Sequence, residues 1–311
     1  MNVERQSCIG DPAINIASLA VQAMLYEAAC NPSPGLVSSS SGGAHSDMDY
    51  FTFLDSTAAL ISPLLHCAEA GFSPHSPKQI FEQIRQIGQL GECRMFHKTA
   101  GVNTHKGALF SLGICCAAGG KALHSGAHFS TLRSIIQEMT AGLVERELRA
   151  KVSELELLSA PALTHGERLF LRYKTEGIRG EAERGFPTVF GMSLAFYREN
   201  FDLSRNLRLV QTLLAIMRFC EDTTILHRHS LAMLKEVQER AKQVIFLGGV
   251  RTSAGMQEIK KMDENFCRRK ISPGGSADLL GVTVFLQLLE SCWDSLESCR
   301  RGKECGGLNI K

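Results

Sequence analysis

A chain of 311 residues with 44% hydrophobic and 21% charged residues is long enough for one large core or two smaller ones, and its composition excludes disorder as the default. Thirty-four basic against 32 acidic residues leave a net charge of +2, which excludes the global positive field of a nucleic-acid-gripping protein but not a local anion site. The longest weakly polar run, Gly107 to Gly120, is too short to span a bilayer, and the N-terminus has no basic segment followed by an apolar block, so a cytoplasmic protein without a membrane partner is expected.

Apolar residues recur at helical spacing almost throughout, without a convincing alternating run, so the expected fold class is all-α, a multi-helix array. Asp11-Pro12 reads as an N-cap with proline at the first helical position, opening a helix that carries Ile14, Ile16, Leu19, Met24 and Leu25. Ser76-Pro77 repeats the signal ahead of Ile80, Phe81, Ile84 and Ile87. One long amphipathic helix is expected from Phe129 to Leu158, with Leu132, Ile135, Met139, Leu143, Leu148, Val152 and Leu155 at spacings of three or four. Further helices are read at about 202–219, 231–246, 254–269 and 277–298. The whole chain, 1–311, is taken as one catalytic domain, with 160–175 as the place where it would divide into two lobes. The 11 cysteines are odd in number and never spaced C-x-x-C, and are read as reduced and mostly buried.

Five polar, Gly-containing connections are longer than a structural bundle needs, and this is where a site is expected. In Asn31 to Asp49, Asp47 and Asp49 follow a Gly-rich turn and could serve a magnesium ion that escorts phosphates; equally, one of them could cap the helix starting near Tyr50. In Gly101-Val102-Asn103-Thr104-His105-Lys106-Gly107, amides at a helix start and a lysine form a phosphate cradle, although the spacing is not that of a Walker A motif. In Glu176 to Pro187, Arg179 could fork onto a phosphate and Glu181 could act as base or metal ligand, the alternative being a solvated charged turn. Glu221-Asp222-Thr223-Thr224 and His227-Arg228-His229 place a carboxylate and an arginine six apart; a zinc reading of the two histidines lacks a third ligand nearby. In Ile271 to Asp278, serines and glycines can present amides and hydroxyls to an anion, Asp278 is a further candidate metal ligand, and Ser276 could simply cap the helix.

The order and wording of these segments resemble one family, the triphosphoribosyl-dephospho-coenzyme A synthases that serve citrate lyase and malonate decarboxylase. The resemblance rests on Pro34-Gly35-Leu36-Val37, Gly43-Ala44-His45 with Asp47-Met48-Asp49, Gly101 to Gly107, Gly177 to Glu181 with Gly185-Phe186-Pro187, Asp222-Thr223 with Arg228, and Ser272 to Leu280, collinear over about residues 25 to 290. It implies an all-helical enzyme that uses ATP as a sugar donor, with adenine as leaving group and the 2′-hydroxyl of the adenosine ribose of 3′-dephospho-coenzyme A as acceptor. The product is then handed to a separate transferase that loads an acyl-carrier subunit. Asp47-Met48-Asp49 continuing into Phe51-Thr52-Phe53-Leu54 leans toward the citrate lyase branch. Ser33 and Ser38 stand where the family usually has Lys and Asp, Thr224 where Asn is common, and His229 where Gly is.

Breaking the ribose–adenine bond builds oxocarbenium character, so the expected site needs a positioned acceptor, charge stabilisation and help for the departing base. The roles assigned on this reading give Mg²⁺ and the triphosphate to Asp47, Asp222 and Asp278, and phosphate oxygens to Lys106, Arg179 and Arg228. Glu181 is the base for the acceptor hydroxyl, and His105 protonates adenine because an imidazole ordinarily titrates near neutral pH. Gly35, His45, Asn103, Thr104, Gly107, Ser272, Gly274, Gly275 and Ser276 complete the expected substrate-binding set. Two rivals are a magnesium-dependent nucleotide phosphohydrolase, with water replacing the acceptor, and a diverged non-catalytic nucleotide-binding protein. Apolar helix faces allow a homodimer.

Overall fold

A computed structural model describes residues 10–150 and 163–305, with side chains described through residue 301. The described residues form helices and contain no strand, only an isolated bridge between Ser38 and Ser41. Helix α1 (Pro12–Ala28) starts as expected: Asp11 accepts a hydrogen bond from the Ala13 amide at 2.9 Å, and Ile16, Leu19 and Met24 are buried, whereas Ile14 and Leu25 face solvent. Helix α2 (Tyr50–Gly71) opens with a reciprocal capping box between Asp49 and Thr52, so Asp49 takes the capping alternative. Ser76 and Gln79 repeat that box at the start of α3 (Pro77–Lys98).

Helix α4 (Lys106–His124) is the axis of the molecule, with Leu112, Cys115, Cys116, Ala117 and Ala118 fully buried. Small residues let it approach its neighbours closely. A Cβ at Gly120 would stand 2.4 Å from the Ala68 carbonyl oxygen of α2, and one at Gly71 would stand 2.2 Å from the Ala117 carbonyl oxygen of α4. Although α2 is long and apolar enough to cross a membrane, Leu60, Leu64, Cys67 and Ala68 are buried as it packs against α1, α3 and α4.

The expected helix from Phe129 to Leu158 is corrected. A 3₁₀ turn, Phe129–Thr131, leads into α5 (Leu132–Thr140), which ends where Ala141 turns extended and Gly142 takes a φ of +74°. Glu183 stabilises this break by accepting from the Gly142 and Val144 amides at 3.0 and 2.7 Å, so a distant carboxylate overrides a continuous apolar pattern. A π-helical stretch, Glu145–Arg149, follows; Val152 and Leu155 lie outside the described residues.

Two of the expected connections contain helices: α7 (Gly177–Glu183), after α6 (His165–Tyr173), and α10 (Thr223–Arg228), after α8 (Leu194–Glu199) and α9 (Arg205–Met217). Helices α11 (Leu231–Phe246) and α12 (Ser253–Arg269) match the sequence reading closely. The last expected helix is divided into α13 (Gly274–Ser291) and α14 (Trp293–Cys305), with a bend of 57° between them. Helices α1, α2, α4 and α13 pack together as the core, and the end of α1 and the starts of α4 and α13 define where the site lies.

Candidate active site

The five polar segments converge on one cavity of about 530 Å³. Its wall includes His45, Asp47, Asn103, Thr104, His105 and Lys106 from the first two segments. Gly107, Glu181, Arg228, Ser272, Gly274, Gly275 and Asp278 complete the expected residues found there. Four expected residues, Gly35, Arg179, Asp222 and Ser276, are not part of this wall.

Gly35 has a packing role. Its φ is +74°, its amide donates to Asp263 at 2.9 Å, and a Cβ there would stand 2.1 Å from the Ile271 carbonyl oxygen. This contact pins the first segment against the fifth, and His45 bonds across the same junction, with Nε2 2.9 Å from the Ser272 hydroxyl. The Arg228 guanidinium stands 3.2 Å from that Nε2, and because arginine can only donate, Nε2 acts as acceptor toward it. The Nδ1 side then faces exposed Asp47 at 3.6 Å. Burial, and secondarily Arg228, lower the His45 pKa, so the ring is a neutral spacer. Among the described residues Arg228 has no carboxylate partner, which leaves its charge available to an anion.

Asp222 and Asp278 behave differently from a metal-binding pair. Asp222 is buried and caps α10: Oδ1 accepts from the Thr224 and Ile225 amides at 3.0 and 3.3 Å, and Oδ2 from the Ser276 amide and hydroxyl at 2.7 and 2.9 Å. Both its oxygens and the Ser276 donors are therefore engaged with each other, which leaves neither side chain's groups free for a ligand, and Ser276 does not take the alternative of capping its own helix. Asp278, in the first turn of α13, stands against the first turn of α4 beside Gly107 and Ala108. Its carboxylate lies so close to Gly107 that a Cβ there would stand 2.0 Å from Oδ2. The anion cradle expected at the start of α4 is thus occupied by the protein's own carboxylate. No group of three or more potential metal ligands is assembled among the described residues, so Asp47, Asp222 and Asp278 do not converge.

The carboxylate that does join Asp278 is Glu27, a residue the sequence reading missed. Glu27 lines the cavity at the end of α1 and is the only charged residue in that helix, a lone carboxylate in an apolar run and therefore a legible signal. Burial raises its pKa to about 7. Burial, then repulsion by Glu27 and Asp222, raises that of Asp278 well above the usual carboxylate range. Both keep accessible surface, and both border the cavity.

The surroundings of His105 disfavour the proton-donor role expected for it. It is 2% exposed, packs edge-on to Phe53, and burial pushes its pKa down to about 3, so no imidazolium forms near neutral pH. Thr104 donates to the Ser56 hydroxyl at 2.6 Å, and that hydroxyl stands 2.8 Å from His105 Nδ1. Nε2 of the ring is buried without a hydrogen-bond partner among the described residues.

Glu181 lines the cavity with both oxygens oriented, accepting from the Thr188 hydroxyl at 2.5 Å and the Thr188 amide at 3.3 Å. Lys106 lies on Glu92 at 2.7 Å, and Arg179 lies on Glu147 at 2.7 Å, facing a second chamber instead. The Arg184 guanidinium, which borders the main cavity, pairs with Glu176. His165, which was unanticipated, and His227, one of the two histidines weighed for zinc, stack on the cavity wall with ring centres 3.6 Å apart, both pKa values lowered first by burial. His229 instead faces the Lys270 carbonyl oxygen at 2.9 Å. Ser33 and Ser38, the departures from the family pattern, are buried outside this wall.

No solved structure matches the chain. It is 40% identical over 277 residues to a probable 2-(5′′-triphosphoribosyl)-3′-dephosphocoenzyme-A synthase of Lactiplantibacillus plantarum, covering 88% of this chain and 96% of that one. It is 37% identical over 280 residues to a protein with the same printed name from Malonomonas rubra, covering 88% and 87%. Against the 2-(5′′-triphosphoribosyl)-3′-dephosphocoenzyme-A synthase of Klebsiella pneumoniae it is 37% identical over 279 residues, covering 88% and 90%. With residues 13–296 also matching the family described as ATP:dephospho-CoA triphosphoribosyl transferase, the chain belongs to that family.

Proposed function

We propose that the cavity joins the triphosphoribosyl part of ATP to the 2′-hydroxyl of 3′-dephospho-coenzyme A and releases adenine, providing the prosthetic-group precursor of citrate lyase. The observation that carries this reading is the convergence of all five polar segments on one cavity, where Arg228 has no carboxylate partner among the described residues and Glu27 and Asp278 share the wall. Arg228 and Lys106 hold phosphate oxygens, Lys106 by exchanging Glu92 for the ligand. Arg179, committed to Glu147, is dropped from that set.

The donor chemistry fits a magnesium ion at Glu27 and Asp278, two carboxylates on the cavity wall whose burial a cation would offset; Asp222, with both oxygens already bonded, is not part of that set. Bound there, magnesium would supply charge neutralisation for the triphosphate. Glu181, aimed by Thr188, accepts the proton of the acceptor hydroxyl as that oxygen attacks the anomeric carbon. As the ribose–adenine bond breaks, the departing base takes up a proton from solvent and Glu181 later returns to solvent the one it accepted, while His105 stays neutral in the wall. The stacked His165–His227 pair offers an aromatic face for a nucleobase.

Handover to an acyl-carrier transferase, a cytoplasmic setting and a homodimer belong to the same proposal. Its test is incubation with ATP, Mg²⁺ and 3′-dephospho-coenzyme A, followed by chromatography and mass spectrometry. Adenine that appears only with the acceptor, together with a coenzyme product carrying the triphosphoribosyl group, is the expected result. Phosphate or pyrophosphate without adenine would replace it with the phosphohydrolase, and ATP binding without turnover with the non-catalytic protein.

A further inference from the structure

A second chamber of about 300 Å³ lies between α3, α4 and α7 and shares Lys106, Gly107 and Ile178 with the main cavity. Its walls are largely apolar, built from Cys67, Phe81, Ile84, Leu109, Phe110 and Ile114. Its cations are paired within the protein: Glu147 takes Arg85 at 2.6 Å and Arg179 at 2.7 Å, Arg85 also reaches Glu82 at 3.7 Å, and Glu92 takes Lys106 at 2.7 Å. A chamber with paired charges and an apolar floor does not suit a triphosphate, which needs uncompensated cations. It suits a long, uncharged and flexible chain that enters from a phosphate.

The acceptor carries such a chain. In dephospho-coenzyme A the adenosine ribose that reacts is joined through a diphosphate to pantetheine, an aliphatic arm with two amides and a thiol end. The ribose has to meet ATP in the main cavity, so the arm must leave it, and Lys106 stands at the shared wall where the diphosphate would pass. We propose that the second chamber is the acceptor subsite and holds the pantetheine arm. This inference rests on the transferase reading for the identity of the acceptor.

Gly88 of α3 gives a clean test. It lines the chamber, and a Cβ there meets no atom within 4 Å, so Gly88→Leu starts from open space, in a helix interior where leucine is favoured over glycine. Calorimetric titration of dephospho-coenzyme A into wild type and G88L should show at least about a tenfold loss of affinity in the variant, with the ATP affinity unchanged. The smaller G88A should lie between them, and thermal unfolding checks that both variants fold. In wild type, 4′-phosphopantetheine should compete with dephospho-coenzyme A and not with ATP. Equal affinities of wild type and G88L for dephospho-coenzyme A, or competition of 4′-phosphopantetheine with ATP, would overturn the subsite. Adenine release by wild type is scored separately: acceptor binding that depends on Gly88 without adenine removes the transferase reading and leaves the subsite standing. Adenine release with binding indifferent to Gly88 removes the subsite alone.

Discussion

Two helix starts in this molecule are each met by a carboxylate, and they differ in what that carboxylate has left to offer. At α10, Asp222 accepts four hydrogen bonds and welds the fourth polar segment to the fifth. At α4, Asp278 presses on Gly107, feels the repulsion of Glu27, and borders the cavity with its proton affinity raised. The same residue type at the same kind of position is structural in one case and chemical in the other. Satisfaction of its lone pairs separates the two, a property invisible in the one-dimensional pattern.

The largest expected effect tests the chemical side of that contrast. Glu181→Gln should lower the initial rate of adenine release about 10²–10⁴-fold while the unfolding temperature stays at the wild-type value. A near-normal rate would remove Glu181 as the base. Next, Asp222→Ala should cost about 3 kcal/mol of stability in urea unfolding, through a lost cap and four stranded donors. Asp278→Asn should instead leave stability at or above wild type and abolish turnover. If both aspartates behaved alike, the distinction drawn here would fail.

Glu27 sharpens the comparison through pH. Its carboxyl stays protonated in the native state up to about pH 7, whereas the unfolded chain ionises it near 4.5, so the native state holds the extra proton and stability falls as pH rises through that window. Glu27→Gln removes this loss: the variant should be about 1–3 kcal/mol more stable than wild type at pH 8, with the gap closing below pH 4.5, and it should lose turnover. Calorimetric unfolding temperatures across that range, without magnesium, provide the check. The smallest effect is expected away from the site, where Gly120→Ala should cost about 1–3 kcal/mol by forcing α2 and α4 apart, with turnover at low temperature retained.

Much of the architecture was legible because it is written locally. The caps Asp11 and Ser76 and the apolar faces of α11 and α12 belong to single segments, and their boundaries follow from spacing alone. The failures are non-local. The break after Thr140 depends on Glu183, more than forty positions away, and the quenching of Asp222 depends on Ser276. His105 shows the same limit for chemistry: its ordinary titration near neutral pH was a sound starting point, and burial against Phe53 and Ser56 removed it. Glu27 was readable as the sole charge of α1 but lay just outside the polar connections where a site was sought.

The contact between Gly107 and the Asp278 carboxylate bears on how kinship in this family is used. A side chain at residue 107 has nowhere to go while that junction holds, and the same is true of residue 35 against the Ile271 carbonyl. Mutation would therefore be purged at these positions for architectural reasons, even in a descendant that had ceased to make any product. A diagnostic signature built from Gly35, Gly107, Asp222 and Ser276 would report shared ancestry and an intact scaffold; competence is better sought at Glu27, Glu181 and Arg228, where drift could proceed without harming the bundle.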